Sequence, residues 1–441
     1  MKILALSSLY PPHHAGTYDL RCEMITRALR MRGHQTLVLT SNHGIKGEQR
    51  DADVERRLLL HGAHGHPRLT KYSELKSLET HNHEVLREVA AAFTPDVVHV
   101  HSLEGLSKSL IFGLRALRLP VVYDVADDWI CAGISQDAWL RFWNAPSLPF
   151  LEQSTRVSLE LSGERGRLDS SAPTRMMKGY DRLPSLYGGV AAVAAVQPCS
   201  IPSFRFDRIY FSSLSLKQRS EQAGFCVTHA DVIYPGIATE AYVQEPRPAT
   251  EPMTRFLIVT DLDKSSGVMT ALQALKMVRQ HKIKAKLTIF GRGDTNYIAE
   301  LRSFAVTHQV PVEFLTVSNL NRDMPAIFRR FDAFIYSTEW DEGFPVAILE
   351  AMATGLPVIS TMKGGAAELI RHGENGLVYT AGDHVELASR IQELQVQPHL
   401  RVQMAQTAQQ EVLSRYNEST FTDQIENYLN TSLEVWAHTA S

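Results

Sequence analysis

The sequence has few cysteines, no long apolar run and little net charge, and each absence excludes a class of protein. Four cysteines are scattered over 441 residues without a CxxC pair, which argues against a disulfide framework and fits a reducing compartment. The run VAAVAAV at 190–196 is far too short to span a bilayer. A net charge of −3 gives the whole chain no electrostatic footprint for nucleic acid. We therefore expect a cytoplasmic protein that binds no nucleic acid, with peripheral contact to the inner face of a membrane left open.

Length and patterning predict two α/β domains. A chain of 441 residues with 44% apolar residues exceeds one ordinary core. The first 130 residues alternate buried strands, such as QTLVLT and PDVVHVHS, with helical segments such as LRCEMITRALRMRG, which is typical of a parallel sheet covered on both faces. The pattern is lost from about 133 to 205. EPRPATEP at 245–252 reads as an interdomain linker, and a second alternation follows it.

The segment WDEGFPVAILE at 340–350 places two carboxylates near a predicted helix start. FIYS ends a strand, Pro345 suits the first helical turn, and Gly355 suits the position past the helix end. Glu342 then lies at the carboxyl edge of a parallel sheet, where ligands bind, and Glu350 lies in the helix. A helix N-terminus attracts anions, and carboxylates accept hydrogen bonds from sugar hydroxyls. For an isolated pair of acids, however, a helix-dipole role for Glu342 and a solvated face for Glu350 are the commoner explanation.

The pair is not isolated, because several further motifs accompany it. DEGFPVAILEAMATGLPVI is followed by GGAAELIRHGENGLVY, and IFGRGD, VIYPGI, RGHQ and PPHHAGT occur earlier. Together they resemble the retaining glycosyltransferases of family four, which have the GT-B fold. The resemblance implies two facing Rossmann-like domains. Residues 1–244 form the acceptor side, residues 245–420 bind the nucleotide sugar, and the C-terminal helix at 421–441 crosses back to the first domain.

The resemblance also implies roles for individual residues. Glu350 would accept hydrogen bonds from the ribose hydroxyls of a nucleotide, and Glu342 would contact the hydroxyls of the transferred sugar. The remaining donor contacts that the resemblance implies are Gly343, Phe344, Pro345, Val346, Ala15, Gly16, Gly291 and Arg292. Ala15 is itself a departure, since the family has a glycine pair at this position, where the loop approaches the phosphates.

Two loops depart further from the family pattern. In TDLDKSSG, Asp261 stands where the family has an Arg, and Lys264 lies two residues ahead of the usual Lys. We expect Lys264 to reach the diphosphate, because a Lys is a mobile point charge; Arg292 and Lys363 could compensate or could be ordinary exposed charges. In YDVADDW, Ala126 replaces a His that many members carry, which leaves Asp127 as the matching acid.

Histidines and aromatics complete the candidate features. His99 and His101 alternate on one predicted strand, and HGAHGH and HNH add others, yet no acid cluster or cysteine stands beside them, so zinc binding is not expected. His13 and His14 are better candidates for substrate contact. The aromatic stretch WLRFWNAPSLPF at 139–150 favours core packing over an acceptor site or a membrane-facing patch.

Taken together, the sequence predicts a retaining glycosyltransferase that needs no metal or other cofactor. The donor is a nucleotide sugar, with a UDP-sugar as the commonest case. The acceptor is a hydroxyl of a sugar, a lipid-linked sugar or a small molecule. Lys264, Glu342 and Asp127 are the candidate catalytic residues. Two alternatives stay open: a nucleotide-sugar epimerase or phosphorylase, and an inactive GT-B subunit that binds a partner glycosyltransferase.

Overall fold

The computed structural model describes residues 1–13, 17–45, 51–145, 147–168, 206, 208–315 and 324–440. The chain divides into two compact units. The first, called here the N-unit, consists of Met1–Ser212, Leu216–Ile233 and Thr422–Ser441. The second, the C-unit, consists of Ser213–Ser215 and Tyr234–Phe421.

The N-unit is built on a parallel sheet of seven strands. Its strands are β1 Lys2–Ser7, β2 Gln35–Ser41, β3 Val54–Leu58, β4 Val97–Ser102, β5 Val121–Val125, β6 Arg208–Phe211 and β7 Asp231–Val232. They lie in the order β3-β2-β1-β4-β5-β6-β7, and every neighbouring pair is parallel. The central strands β4 and β5 are buried along their whole length, as their unbroken apolar runs predict for a sheet covered on both faces.

Helices connect these strands and cover the sheet. In the described part of this region they are Thr17–Met31, Tyr72–Phe93, Leu110–Ala116, Cys131–Gln136, Ala138–Asn144, Phe150–Leu161, Glu164–Leu168 and Leu214–Gln222. The aromatic stretch at 139–150 divides between two of them. Trp139 and Trp143 are buried in the core of the N-unit, which confirms core packing for that part. Phe150 is 83% exposed, so core packing is wrong for the end of the stretch.

The C-unit is built on a second parallel sheet, of six strands. Its strands are β8 Arg255–Val259, β9 Lys286–Phe290, β10 Val312–Leu315, β11 Ala333–Tyr336, β12 Val358–Ser360 and β13 Leu377–Val378, in the order β10-β9-β8-β11-β12-β13. Its described helices are Thr239–Tyr242, Val268–Gln280, Thr295–Thr307, Met324–Phe328, Val346–Ala353, Ala366–Leu369, His384–Val396 and Pro398–Arg415, with a 3₁₀ turn at Lys264–Ser266.

The stretch 245–252 is packed within the C-unit. Arg401 donates hydrogen bonds to the carbonyl oxygens of Pro248 and Glu251, at 3.2 and 3.0 Å. The division between the two units falls earlier, between Ile233 and Tyr234.

The last helix, Glu418–Ala440, begins three residues before the predicted segment at 421–441 and returns to the N-unit from Thr422 onward. Arg32 pairs with Glu426 at 2.7 Å, and the Tyr428 hydroxyl donates to the Ile209 carbonyl at 2.8 Å. The crossing-back helix is therefore confirmed. None of the helices in the described ranges combines the length and the apolar character needed to cross a membrane.

Candidate active site

Glu342 lies in the loop between β11 and the helix Val346–Ala353, at the carboxyl edge of the C-unit sheet. Pro345 caps this helix with extended backbone, so the helix begins one residue later than predicted. The Tyr336 hydroxyl donates a hydrogen bond to Glu342 Oε2. Burial raises the pKa of Glu342; the Tyr336 hydrogen bond opposes part of that rise, and the nearby charge of Asp261 adds a smaller increase.

Glu350 lies on the same helix and has a matching partner. The Tyr242 hydroxyl donates a hydrogen bond of 2.5 Å to Glu350 Oε1. Burial raises the pKa of Glu350 to about 7, although the Tyr242 hydrogen bond lowers it in part. Tyr242 is itself buried at the end of the short helix Thr239–Tyr242.

The two acids thus share one arrangement, a tyrosine hydroxyl on one carboxylate oxygen. Among the residues that the structure describes, neither Glu342 nor Glu350 forms an ion pair. A partly buried carboxylate without a cation gains stability from additional hydrogen-bond donors. Neither tyrosine was predicted as a carboxylate partner from the sequence. The sequence offers a signal only for Tyr336, because it is the last residue of the strand β11 that leads to the Glu342 loop.

The loops around Glu342 pack backbone against backbone. A side chain at Gly364 would collide with the carbonyl oxygen of Glu342, and one at Gly365 with that of Gly343. Gly365 instead donates its N–H to the Glu342 carbonyl at 3.0 Å, and Gly364 donates to Asp341 Oδ1 at 3.0 Å. This contact explains the GG pair chemically, because only glycine allows the two loops to approach so closely.

The predicted donor contacts in the 343–346 segment have different environments. Gly343 and Pro345 are buried, and Val346 is half-buried at the helix start. The ring of Phe344 is buried and packs against Tyr234, with ring centroids 5.3 Å apart. The Phe344 side chain therefore belongs to the core, and only its backbone remains available to a ligand.

The positive charges of the C-unit edge lie on neighbouring loops. Lys264 is exposed in the 3₁₀ turn that Asp263 caps through the Ser265 N–H. This turn contacts the Glu342 loop, since Glu339 N–H donates to the Ser265 carbonyl at 2.8 Å. Lys363 is half-buried beside Gly364.

Arg292 faces the residue that replaces the family's arginine. Burial raises the pKa of Asp261, and the charge of Arg292 opposes that rise. The Leu262 N–H donates to the Arg292 carbonyl at 2.8 Å, which fixes the two loops together. Gly291 packs so closely on the Thr260 carbonyl that no side chain fits there. Arg292 therefore offsets Asp261 before any ligand binds.

In the N-unit, Asp127 lies just after β5 and closes a tight turn. Its Oδ1 accepts a hydrogen bond from the Trp129 N–H at 2.8 Å. Burial raises the pKa of Asp127 to about 7, and the charges of Glu104 and Asp128 contribute. The other predicted residues of this side, Ala15 and Gly16, lie outside the described residues, as does His14.

His99, His101 and Asp124 form a buried group at β4 and β5. Asp124 is held by Arg21, with Nε–Oδ2 and Nη2–Oδ1 distances of 2.7 and 3.1 Å. His101 lies 3.4 Å from the same carboxylate, and His99 pairs with the Tyr210 hydroxyl at 2.9 Å. A metal ion here would face the guanidinium of Arg21, so this group is better suited to stability than to metal binding.

Two family models match the chain. Residues 244–411 match the model described as Glycosyl transferases group 1, and residues 16–157 match the Glycosyl transferase 4-like domain. The first range contains Glu342 and Glu350, and the second contains Asp127. These matches support a glycosyltransferase family with the GT-B fold.

Curated relatives align over part of their length. Spore coat protein SA of Bacillus subtilis is 28% identical over 167 residues, which cover 36% of this chain and 44% of that protein. The putative colanic acid biosynthesis glycosyltransferase WcaL of Salmonella typhimurium is 26% identical over 211 residues, 46% of this chain and 48% of the relative. The chain thus spans about half the length of these curated relatives.

Solved structures match along the whole chain. Anabaena Alr3699/HepE in complex with UDP-glucose is 20% identical with a TM-score of 0.65, covering 98% of this chain and 100% of that one. Sucrose-phosphate synthase from Thermosynechococcus elongatus is 16% identical with a TM-score of 0.64 and full coverage of both chains. The predicted GT-B fold, with two α/β domains each built on a parallel sheet, is confirmed.

Proposed function

We propose that this protein is a retaining glycosyltransferase of polysaccharide biosynthesis that transfers a sugar from a nucleotide-sugar donor to a hydroxyl acceptor. The observation that carries the proposal is the pair of tyrosine-held carboxylates, Glu342 and Glu350, at the carboxyl edge of the C-unit sheet. The second carboxylate oxygen of each acid, Glu342 Oε1 and Glu350 Oε2, accepts no tyrosine hydrogen bond and forms no ion pair among the described residues. Sugar hydroxyls can donate the hydrogen bonds that these oxygens lack.

The two acids divide the donor between them. Glu350, in the second turn of the helix Val346–Ala353, accepts hydrogen bonds from the ribose hydroxyls, while Glu342 holds the sugar that is transferred. The start of the helix Val346–Ala353 lies between them in sequence, and its free N–H groups suit the diphosphate. A UDP-sugar is the first donor to test, since the similar Anabaena structure contains UDP-glucose.

Transfer itself needs charge stabilisation more than an enzyme nucleophile. As the bond between sugar and diphosphate breaks, negative charge develops on the leaving oxygen, and a nearby cation lowers the barrier. Lys264, on the turn that contacts the Glu342 loop, is the residue we assign to this task. The acceptor hydroxyl loses its proton to the leaving diphosphate on the same face of the sugar, which retains the anomeric configuration. Asp127, on the N-unit, is assigned to the acceptor side.

No divalent ion is required in this mechanism, because the helix N-terminus and basic side chains supply the positive charge. Transfer is therefore expected to continue in EDTA. Activity that disappears in EDTA and returns with Mn²⁺ would contradict this part of the proposal.

The direct test is a binding screen of the full chain against UDP-, GDP- and ADP-sugars. A bound donor raises the thermal unfolding midpoint by mass action, and calorimetry then gives the affinity for each hit. With the donor known, the anomeric proton coupling in the NMR spectrum of the product distinguishes retention from inversion. Inversion would remove the retaining assignment while leaving a glycosyltransferase.

One observation favours a second function, that of an inactive subunit. Asp261 and Arg292 offset one another beside Glu342, so the described site has less free positive charge than the family pattern implies. An inactive subunit that supports a partner glycosyltransferase would fit this balance. Absence of stabilisation by every nucleotide sugar would favour the inactive subunit over the enzyme.

A further inference from the structure

Glu368, the acid of the GGAAE motif, accepts three hydrogen bonds, and none of the roles assigned above uses it. It lies on the short helix Ala366–Leu369, directly after the glycine pair of the motif. Its Oε2 accepts hydrogen bonds from the Leu214 N–H and the Tyr234 hydroxyl, both at 2.9 Å, and its Oε1 accepts one from the Ser215 N–H at 2.8 Å.

Glu368 differs from the two donor-site acids in how its oxygens are used. Like Glu342 and Glu350, it accepts a tyrosine hydroxyl on one oxygen. Its second oxygen already accepts a backbone N–H, that of Ser215. A carboxylate with both oxygens occupied by the fold has little to gain from a ligand. The role of Glu368 therefore lies in the residues that it holds in place.

The residues that Glu368 holds all belong to the C-unit. Leu214 and Ser215 are part of the short stretch that the chain first contributes to this unit, and Tyr234 begins the long second stretch. Charge-assisted hydrogen bonds to a carboxylate are stronger than neutral ones. Glu368 thus connects both stretches to the helix Ala366–Leu369.

The ring of Tyr234 connects Glu368 to the Glu342 loop. It packs against Phe344 of that loop with ring centroids 5.3 Å apart, and both rings contact Tyr416, at 6.2 and 6.1 Å. Phe344 and Tyr416 are buried, whereas Tyr234 is half-buried. The hydrogen bond to Glu368 therefore fixes the ring of the three that packing alone holds least firmly.

The helix that carries Glu368 also contacts the Glu342 loop through its backbone. Gly365, at the start of this helix, donates its N–H to the Glu342 carbonyl at 3.0 Å. The loop is thus held through the Gly365 backbone and through the Phe344 ring. A small displacement of this loop would move Glu342, the residue assigned to the transferred sugar, and such misplacement is costly at a reacting centre.

We propose that Glu368 is a positioning residue that fixes the Glu342 loop through Tyr234 and Phe344 and thereby sets how the transferred sugar is held. This inference rests on the proposed transferase function. The ribose and the diphosphate are assigned to Glu350 and to the start of its helix. Loss of the hydrogen bond between Glu368 and Tyr234 should therefore affect a ligand that carries its sugar more than one that lacks it.

The test compares two ligands by calorimetry on the full-length chain: the nucleotide sugar that the binding screen identifies, and the corresponding diphosphate, UDP, GDP or ADP. Glu368→Gln and Tyr234→Phe should each weaken binding of the nucleotide sugar roughly fivefold, and binding of the diphosphate less than about twofold. Because both variants break the same connection, the double variant should bind the nucleotide sugar about as weakly as Glu368→Gln alone. Glu374→Gln, which alters an exposed acid paired with Arg371, is the matched control and should bind as the wild type does.

Equal weakening of both ligands would indicate a general loosening of the C-unit and would overturn the proposal, as would effects of the two variants that simply add. Tyr234→Phe keeps the ring, so it gives the answer if Glu368→Gln does not fold. A wild-type chain that binds its donor, with both variants matching Glu374→Gln, would overturn this proposal alone. A wild-type chain that binds no nucleotide sugar would remove the transferase function and this positioning role with it.

Discussion

Asp124 in the N-unit is buried and Glu350 in the C-unit is partly buried, and their pKa values move in opposite directions. Burial alone would raise the pKa of Asp124, but the charge of Arg21 and hydrogen bonds from His101 and Arg21 outweigh it and hold the pKa well below its usual range. Burial raises the pKa of Glu350 to about 7, and only the Tyr242 hydroxyl opposes that rise.

The opposite pKa shifts distinguish Asp124, an acid with a structural role, from Glu350, an acid suited to binding a ligand. In the free protein the carboxylate of Asp124 is already paired with the guanidinium of Arg21. Removal of Asp124 would therefore leave the positive charge of Arg21 buried without its partner. Glu350 has one neutral donor and no ion pair among the described residues. Perturbed acids of this kind concentrate at functional sites. Four predictions test this contrast.

The largest effect is expected on stability, from Asp124→Ala. The buried Arg21 would lose both of its hydrogen bonds to the carboxylate, and the free energy of unfolding should fall by about 3–5 kcal/mol. Urea unfolding followed by tryptophan fluorescence reports mainly on this unit, because four of the five tryptophans, all except Trp340, belong to the N-unit.

The matched control for Asp124→Ala is Glu88→Ala, which removes an exposed ion pair with Arg57 and should cost at most about 1 kcal/mol. Combining Asp124→Leu with Arg21→Met should recover most of the lost stability, since an apolar pair replaces the ion pair. Equal losses in Asp124→Ala and Glu88→Ala would mean that the buried pair is not the structural element we describe.

The second effect is on turnover, from Lys264→Ala. Lys264 is an exposed, mobile cation at the C-unit edge, whereas Arg21 in the N-unit is held by Asp124. A mobile cation such as Lys264 acts chiefly on the charge that develops in the transition state. Turnover should fall roughly a hundredfold, about 2.7 kcal/mol, with a smaller change in donor affinity. Lys284→Ala, which alters an exposed lysine after the helix Val268–Gln280, serves as the control.

Two outcomes refine the assignment of Lys264. Asp261→Arg restores the family pattern and should hold or raise donor affinity, because it adds charge where Arg292 is now offset. Unchanged turnover in Lys264→Ala would transfer the role to Arg292 or Lys363.

The third effect is on donor affinity, from Glu350→Ala. A ribose would lose charge-assisted hydrogen bonds, and binding should weaken by about 2 kcal/mol, roughly thirtyfold. Calorimetry with the donor from the binding screen measures the change, and Glu300→Ala, an exposed acid of the helix Thr295–Thr307, is the control. Stability should change less than in Asp124→Ala. Wild-type affinity in Glu350→Ala would remove the ribose assignment.

Much of the fold and the position of both acids could be predicted from the sequence, because they depend on local patterns. Unbroken apolar runs mark the buried parallel strands, and the proline and glycine around 345–355 mark the helix that carries Glu350. The motif itself then fixes Glu342 at the sheet edge. Local patterns also explain the error at Phe150, since an aromatic residue looks the same in sequence whether a neighbouring element covers it or not.

Contacts between distant segments could not be predicted. Tyr242 precedes Glu350 by about a hundred residues, and nothing in TEAY indicates a carboxylate partner. His43 Nδ1 and His66 Nε2 lie 2.9 Å apart on loops after different strands, and their approach depends on strand order. A single sequence carries no signal for such pairs, because the pairing is a property of the tertiary fold.

The smallest effect is a pH dependence near neutral pH, which Glu350 should show and Asp124, with its lowered pKa, should not. Because the folded-state pKa of Glu350, about 7, lies above its ordinary value of 4.5, the unfolded state binds fewer protons between these values. The contribution of Glu350 to the stability of the free protein therefore falls as the pH rises from 4.5 through 7. Hydroxyl donors prefer the ionised carboxylate, so donor binding should release a proton below pH 7.

Donor affinity should consequently rise about tenfold between pH 6 and pH 8 and then level off. A UDP-sugar is the suitable probe, since its diphosphate has no protonation step near neutral pH, and calorimetry in two buffers of different ionisation enthalpy counts the released protons. Glu350→Gln should flatten the profile. Tyr242→Phe should move the rise to higher pH, because the lost hydrogen bond is the one influence that lowers the pKa of Glu350. A flat wild-type profile would mean that Glu350 is ionised before the donor arrives and that a cation partner, as for Asp124, stabilises it.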